Sequence, residues 1–311
     1  MSGSTLLSVQ VPVRDPGPEF ALFLGSLAGQ ESVDFEWELV VVDDGSSSPV
    51  AARFDLGSCG AHRIAAIRLE GPGNRPRARN RALEVSSAPV AFFADADLRY
   101  APGVLRAHTD AHRAGPSPDV FRGSRINAWA PDSTPWQRWF DTRGGNLAPA
   151  GPMPWRHFVT GNASARARLV LEAGCFDEGI DRYGGEDTEL GYRLHLRDAV
   201  FRMDPSVKAF HLDSVSPGKH CAKMLEYGST GLRYTLEKHR DMGGLLGSGW
   251  LAPVFSRPAC LAPARLAFRL AISGPVHRMV LRWMEAVGRP SFLFTYLSVG
   301  ACLRGLSGRT P

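Results

Sequence analysis

Residues 90–98 read Val90-Ala91-Phe92-Phe93-Ala94-Asp95-Ala96-Asp97-Leu98, five apolar residues running without a break into two aspartates spaced i, i+2. A run this apolar, closed by charge, reads as a strand buried on both faces. Its neighbours repeat the pattern. Upstream, residues 6–13 (LLSVQVPV), 37–42 (WELVVV) and 64–69 are further strand candidates. The second of these ends in Asp43-Asp44-Gly45-Ser46. Between them, residues 19–30 carry Phe20, Phe23, Leu24 and Leu27 at helical spacing, and residues 77–85 read as a helix with Pro76 suited to its first turn. Apolar strands alternating with helices predict an α/β fold with a Rossmann-like, mostly parallel sheet flanked by helices. The polar clusters fall at the C-terminal ends of the strands, which is where open α/β sheets bind ligands.

The rest of the chain is less regular. Residues 127–157 hold Trp129, Trp136, Trp139 and Trp155 among prolines and glycines, a long aromatic insertion whose rings either fill a core or stack on a ligand. A helix is expected over 166–173 and another from Gly184-Gly185-Glu186-Asp187 to about 197. Two short strands, 200–203 and 207–210, lead to His211, and one helix is expected over 216–240. The reading gives a catalytic domain over 1–240, with a ligand-binding half (1–126) and a catalytic half (127–240). A helical extension follows over 241–311.

Composition excludes several classes. With 311 residues, 44% hydrophobic and 22% charged, the chain is globular, neither disordered nor fibrous. Its five cysteines are scattered and never form a Cys-x-x-Cys pair, so they read as core thiols, neither a disulfide framework nor a zinc ribbon. The first residues lack a basic stretch followed by an apolar one, which predicts a cytoplasmic protein. Net charge is +5, but residues 245–311 carry eight arginines against the single acid Glu285; the tail is +7 and residues 1–244 are −2. A nearly neutral body argues against a nucleic-acid binder.

Asp95 and Asp97, at the end of a buried strand, allow one carboxylate to face a ligand while the other holds a divalent cation. Alone, such a triplet is as readily a solvated strand end, and Asp43–Ser46 as readily a turn. In order, however, the segments VPVRDPGPEFALFLGSLAGQ, VVVDDGSSS, GPGNRPRARNRAL, VAFFADADL, FVTGNASARARLVLEAGCFDEGIDRYGGEDTELGYRL and VKAFH resemble an inverting family 2 glycosyltransferase of the GT-A fold, over roughly residues 6–240.

The resemblance implies roles position by position. Asp43 or Asp44 would bond the nucleobase of a sugar nucleotide, most commonly a UDP-sugar, with Pro12, Val13, Arg14 and Asn74 nearby and Arg79 at its edge. Asp95 would meet the ribose or help the metal, beside Ala96. Asp97 and His211 would ligate Mn2+ or Mg2+. Asp187, with Glu186 beside it, would be the general base, and Trp155, Gly161 and Asn162 would face the acceptor: a glycan, a lipid-linked saccharide, a peptide or a small molecule. The chemistry agrees with this arrangement. A departing diphosphate needs its charge neutralised, and carboxylates with an imidazole suit Mn2+. A carboxylate opening a helix is favoured as the anion and so ready to accept a proton.

Two other enzyme readings lack their motifs: no Gly-x-Gly-x-x-Gly follows the first strand, as in a dehydrogenase, and no Gly-Thr-Arg, as in a nucleotidylyltransferase. An inactive sugar-nucleotide-binding or scaffold protein is the non-enzymatic alternative. In the tail, Arg265 and Arg269, then Arg278 and Arg282, fall four apart on two amphipathic helices. Residues 291–303 are uncharged but too short to span a bilayer. These helices are expected either to touch anionic membrane peripherally or to pack on the catalytic domain or a second subunit.

Overall fold

The structure is a computed structural model that describes residues 5–31, 33–113, 117–127, 131–212, 215–245 and 262–308. The chain forms two compact units. The first comprises Met1–Trp129, Asp141–Gly179 and Asp187–Asp213; the second comprises Ala130–Phe140, Ile180–Glu186 and Ser214–Pro311.

The first unit is a sheet with helices against it. Its strands are β1 (Thr5–Val13), β2 (Glu36–Asp43), β3 (Arg63–Arg68), β4 (Val90–Ala94), β5 (Leu98–Tyr100), β6 (Val120–Ile126), β7 (Gly151–Pro152), β8 (Asn162–Arg166) and β9 (Phe201–His211). They order as β3-β2-β1-β4-β8-β6-β9-β5, with β7 on β9. The first four pair in parallel. Their apolar runs are buried from Leu39 to Val42 and from Val90 to Ala94, as a sheet covered on both faces requires. The helix Glu19–Ala28 buries Phe20, Phe23, Leu24 and Leu27. The helix Arg75–Val85 starts where the Asn74 side chain accepts the Arg77 N–H, has Pro76 in its first turn, and lays Ala78 and Ala82 against Val40 and Val42.

Beyond β4 the sheet is mixed, since β8 runs antiparallel to both β4 and β6. Sequence periodicity misses β6 because Arg122 and Gly123 interrupt it. Yet Arg122 is buried, and Gly123 sits where a Cβ would meet the Val207 carbonyl at 2.2 Å. The two short strands expected at 200–203 and 207–210 are one strand, β9. Asp204-Pro205-Ser206 does turn locally, the Ser206 N–H and hydroxyl donating to Asp204 Oδ1. The sheet absorbs this as a shift of register, from Gly123 opposite Asp204 to Ser124 opposite Lys208.

The second unit is helical. Its helices include Pro217–Ser229, Gly231–Lys238, Ala262–Ala271, Gly274–Val287 and Phe292–Leu306. The helix expected over 216–240 is broken at Thr230, whose backbone leaves the helical region (φ −120°, ψ −92°). Gly231 then lies so close to Gly184 that a Cβ would meet its carbonyl oxygen at 1.8 Å. Helices Pro217–Ser229 and Phe292–Leu306 also touch backbone to backbone: a Cβ on Gly228 would meet the Cys302 carbonyl at 1.9 Å, and one on Gly305 the Leu225 carbonyl at 2.1 Å.

Trp136 and Trp139 stack at 4.9 Å and join Cys221, Met284, Phe294, Leu297 and Ala301 in one core. Their indole N–H groups donate to the Val215 carbonyl at 2.7 Å and Thr295 Oγ1 at 3.0 Å. These two tryptophans are therefore core residues with satisfied donors. Trp129 lies outside the described residues. The units thus divide elsewhere than at residue 240, because the tail shares its core with helix Pro217–Ser229 and with the middle of the aromatic insertion. Among the described residues Cys59, Cys175 and Cys221 are free thiols, and no helix is long and apolar enough to cross a membrane.

Candidate active site

The C-terminal ends of β1, β2 and β4 and the loop before β8 converge in the first unit. At the end of β1, Pro12 is half-buried, the Val13 carbonyl accepts the Asp44 N–H at 2.8 Å, and Arg14 is exposed. The Arg14 guanidinium lies over Gly73, where a Cβ would meet Nη1 at 1.9 Å. Asp15 follows with φ +43° and ties this turn to the next, its N–H donating to Ser46 Oγ and its carboxylate accepting from Ser47.

Geometry separates the two aspartates that the sequence left as alternatives. Both oxygens of Asp43 are occupied: Oδ1 accepts the Ser46 N–H at 2.8 Å, and Oδ2 accepts the Val50 N–H at 3.1 Å and Arg68 Nη1 at 3.4 Å. Asp43 closes its own loop. Asp44 Oδ2 accepts the Asn74 N–H at 2.7 Å, whereas Oδ1 is buried without a hydrogen bond, with Arg77 Nη2 at 3.7 Å. Burial pushes the Asp44 carboxyl up, against the Asn74 N–H and the Arg77 charge. An acceptor buried without a donor is ready for one from a ligand. Asn74 is engaged locally, its Nδ2 donating to the Glu178 carbonyl at 2.9 Å.

At the end of β4, Asp95 sits between two guanidinium groups. Arg79, almost wholly buried, donates from Nη2 to Asp95 Oδ1 at 2.8 Å, and Arg125 Nη1 lies 3.5 Å from Oδ2. Burial raises the Asp95 carboxyl, but Arg79, Arg125, Arg75 and His211 outweigh it and hold the group below its usual range. Asp97 goes the other way, pushed up by burial and by the charge of Asp95. Between them, Ala96 is half-buried. β5 pairs Leu98 opposite His211, and the Leu212 N–H donates to the Asp97 carbonyl at 3.0 Å, so Asp97 and His211 lie at one end of that ladder.

Among the described residues, no three His, Cys, Asp or Glu side chains gather into a cation cage. With Asp95 engaged by arginines, Asp97 and, across the β5–β9 ladder, His211 remain as the candidate cation ligands.

The loop before β8 carries Thr160, which the sequence reading passed over. Arg79 Nη2 donates to Thr160 Oγ1 at 2.8 Å; Thr160 in turn donates from its N–H to Asp187 Oδ2 at 3.0 Å and from its hydroxyl to Oδ1 at 3.0 Å. One chain of bonds therefore runs Asp95–Arg79–Thr160–Asp187. Gly161 follows with φ +98°, and a Cβ there would meet Asp95 Oδ2 at 2.5 Å; its carbonyl accepts the buried Tyr100 hydroxyl. Glu186 and Asp187 open the helix Glu186–His195, with Glu186 buried and Asp187 partly exposed.

The remaining acceptor-side candidates stand apart from this chain. Trp155 is buried between Tyr192 and His195, its ring centroid 5.3 and 6.0 Å from theirs. Asn162 braces the sheet: its Nδ2 donates to the Ser124 and Val207 carbonyls, and its Oδ1 lies 3.0 Å from His108 Nε2. Thr160, Arg125 and Tyr100 are the additions of the structure. The one hint of them in sequence is the Thr-Gly pair, since a glycine obliged to φ > 0 marks a close approach of backbone to side chain.

Comparison with known proteins places the chain in a family. The family described as Glycosyl transferase family 2 matches residues 8–171, just over half of the chain. The validoxylamine A glucosyltransferase of Streptomyces hygroscopicus subsp. limoneus is 31% identical over 232 residues, covering 63% of this chain and 50% of that protein. The chain thus spans about half the length of that curated relative. Chondroitin synthase of Escherichia coli is 39% identical over a shorter stretch, 21% of this chain and 9% of that protein. A mannosyltransferase from Pyrobaculum calidifontis, solved in complex with GDP-Man and Mn2+, superposes with a TM-score of 0.59 at 18% identity, covering 98% of this chain and 88% of that one. S. aureus TarS 1-349, solved in complex with UDP-GlcNAc, gives 0.52 at 16% identity over 98% and 91%. Both are likenesses of fold.

Proposed function

The chain belongs to glycosyl transferase family 2, and from that premise we propose that it moves a hexosyl or N-acetylhexosaminyl group from a UDP-sugar to an acceptor hydroxyl, with inversion and with Asp187 as the base. The observation that carries this reading is the hydrogen-bonded chain from Asp95 through Arg79 and Thr160 to Asp187. It ties a carboxylate at the end of the nucleotide-binding sheet to one that opens a helix, so donor and base are held by one set of contacts.

Each residue then has a task. Asp44 Oδ1 accepts the imino N–H of the uracil, the bond left open in its buried setting. Arg79 and Arg125 keep Asp95 ionised and oriented toward the ribose. Asp97 and His211 are the residues that would hold Mn2+ or Mg2+, which when bound neutralises the charge of the leaving diphosphate. Asp187 takes the proton of the acceptor hydroxyl as it attacks the anomeric carbon from the face opposite the diphosphate. Thr160 fixes two of the carboxylate's lone-pair directions and leaves others for that hydroxyl. Similarity to a validoxylamine A glucosyltransferase favours a small-molecule acceptor over a glycan, a peptide or a lipid-linked saccharide.

Thermal unfolding with UDP, GDP, dTDP and CDP, each with and without Mn2+, tests the donor side. A nucleotide at 100 times its Kd stabilises by about 2.7 kcal/mol. A rise with UDP that needs the ion supports the reading; no rise with any nucleotide favours the inactive scaffold. Asp187→Asn is expected to keep that rise and abolish transfer, and transfer at the normal rate by this variant would remove Asp187 from the role of base.

A further inference from the structure

Helix Gly274–Val287 has apolar residues on two faces. His277 and Met284 are buried, with Val280 and Leu281 partly buried beside them. Val276, Met279, Trp283 and Val287 recur at steps of three and four along a second face that is open: Met279 is 66% exposed and Trp283 56%. Phe292, at the start of the next helix, is 67% exposed, and Leu266 and Leu270 on helix Ala262–Ala271 are exposed as well. The Trp283 indole N–H is satisfied by the Arg289 carbonyl at 3.1 Å, so the ring needs no water for its polar atom. Large exposed apolar side chains so placed mark an interaction surface.

Charge selects the partner. Arg278 and Arg282, one turn apart, flank this strip, and Arg289 follows it; all three are exposed, and Glu285 is the helix's one acid. A two-fold pairing with a second copy would set the same arginines of both subunits around one apolar patch. An anionic bilayer offers the opposite charge with an apolar layer beneath it, a surface on which arginine stems lie along the headgroups while Met and Trp enter. Beside Val287 the surface also opens into a cavity of about 470 Å³ lined by both apolar residues, Trp136, Met284 and Phe294 among them, and polar ones, Gln137, Ser216 and Glu285.

We propose that helix Gly274–Val287 docks the protein on anionic lipid, with Met279, Trp283 and Val287 inserted and Arg278, Arg282 and Arg289 on the headgroups. The surface goes beyond the donor reading and does not depend on it. The test is co-flotation of the full chain with vesicles of phosphatidylcholine alone or mixed with phosphatidylglycerol, in low salt and in 0.5 M NaCl.

The expected result is binding to the mixed vesicles only, weakened by salt. Arg278→Gln with Arg282→Gln should lower the partition coefficient about 25-fold, since each arginine near an anionic surface contributes about 1 kcal/mol, a factor of about five. Met279→Ser with Trp283→Ser should lower it in low salt too, while thermal unfolding of both double variants confirms that they fold. Absence of binding, equal binding to neutral vesicles, or equal binding by both variants overturns the proposal. A concentration-dependent dimer abolished by the Met279/Trp283 variant, without vesicle binding, assigns the face to a second copy instead.

Discussion

The Thr160 hydroxyl donates to Asp187 while it accepts from Arg79, 3.0 Å on one side and 2.8 Å on the other. A hydroxyl has one hydrogen, so with Arg79 on its lone pair the remaining direction is fixed: Thr160 donates to the carboxylate. Thr160→Val keeps the shape and removes the relay. Loss of a hydrogen bond to a charged group costs about 1.5–3 kcal/mol. kcat is therefore expected to fall about ten- to a hundredfold with UDP binding retained, and Thr160→Ser should recover most of it. A serine variant as slow as the valine one would show that the hydroxyl is not what matters.

The two adjacent aspartates of β2 and its loop should fail differently. Asp44→Asn is expected to weaken UDP binding by about ten- to a hundredfold with little change in Tm, because its buried Oδ1 is the open acceptor. Asp43→Asn removes charge from three donors inside the protein, the N–H groups of Ser46 and Val50 and the Arg68 guanidinium. A loss of about 2 kcal/mol, read as a Tm lower by about 4–8 °C, is expected there. Calorimetry and UDP titration of both variants separate the roles; reversed outcomes would exchange them.

Two buried histidines are expected to weaken the fold in acid. His108 contacts Ser164 Oγ at 2.8 Å and Asn162 Oδ1 at 3.0 Å, and burial pushes it down to about 3. His112, pushed down to about 4 by burial and by Arg166, contacts the other side of the same Ser164. Unfolded, both take up a proton near pH 6.5; folded, neither does until far lower. Their contribution is thus complete above pH 6.5 and is lost as pH falls toward 4, each by up to about 1.4 kcal/mol per unit. Urea unfolding at pH 7, 6 and 5 should show this slope, and His112→Gln should remove about one proton of it.

Gly161→Ala combines a backbone penalty with a collision. Its φ of +98° is foreign to alanine, and the new methyl would lie 2.5 Å from Asp95 Oδ2. A loss of about 1–3 kcal/mol in stability is expected from the backbone alone. Turnover should fall further than stability does, because the Asp95 carboxylate, whose Oδ2 faces Arg125, must shift to make room and so disturb its bond to Arg79. Unchanged turnover in this variant would mean that the Asp95–Arg79 pair is not needed for transfer.

What the sequence made legible follows from the kind of signal each part carries. The strands β1, β2 and β4 are continuous apolar runs with charge at their ends, and Asn74 and Pro76 mark the start of a helix, so the first half of the sheet could be read from spacing. β6 could not, because Arg122 and Gly123 look like loop residues until Asn146 is seen bonded to the arginine and Asn162 and Val207 packed against the glycine. The choice between Asp43 and Asp44 needed the loop's N–H groups in place. Thr160 carries no pattern of its own: its importance comes from two partners, Arg79 and Asp187, that are 81 and 27 residues away in the chain, and from Asp95, held by the same arginine. Trp136 and Trp139 were ambiguous for the same reason, since their core is completed by residues near the other end of the protein.

That core has a consequence for synthesis on the ribosome. Trp136 and Trp139 emerge roughly 160 residues before Phe294, Leu297 and Ala301, which cover them. At about 5–20 residues per second the two indoles wait on the order of ten to thirty seconds for their partners. During that interval the nascent chain exposes a stacked aromatic pair, which makes the last helix the step that ends its vulnerability to chaperone capture and aggregation. A gene ending before residue 292 would leave that interval without an end.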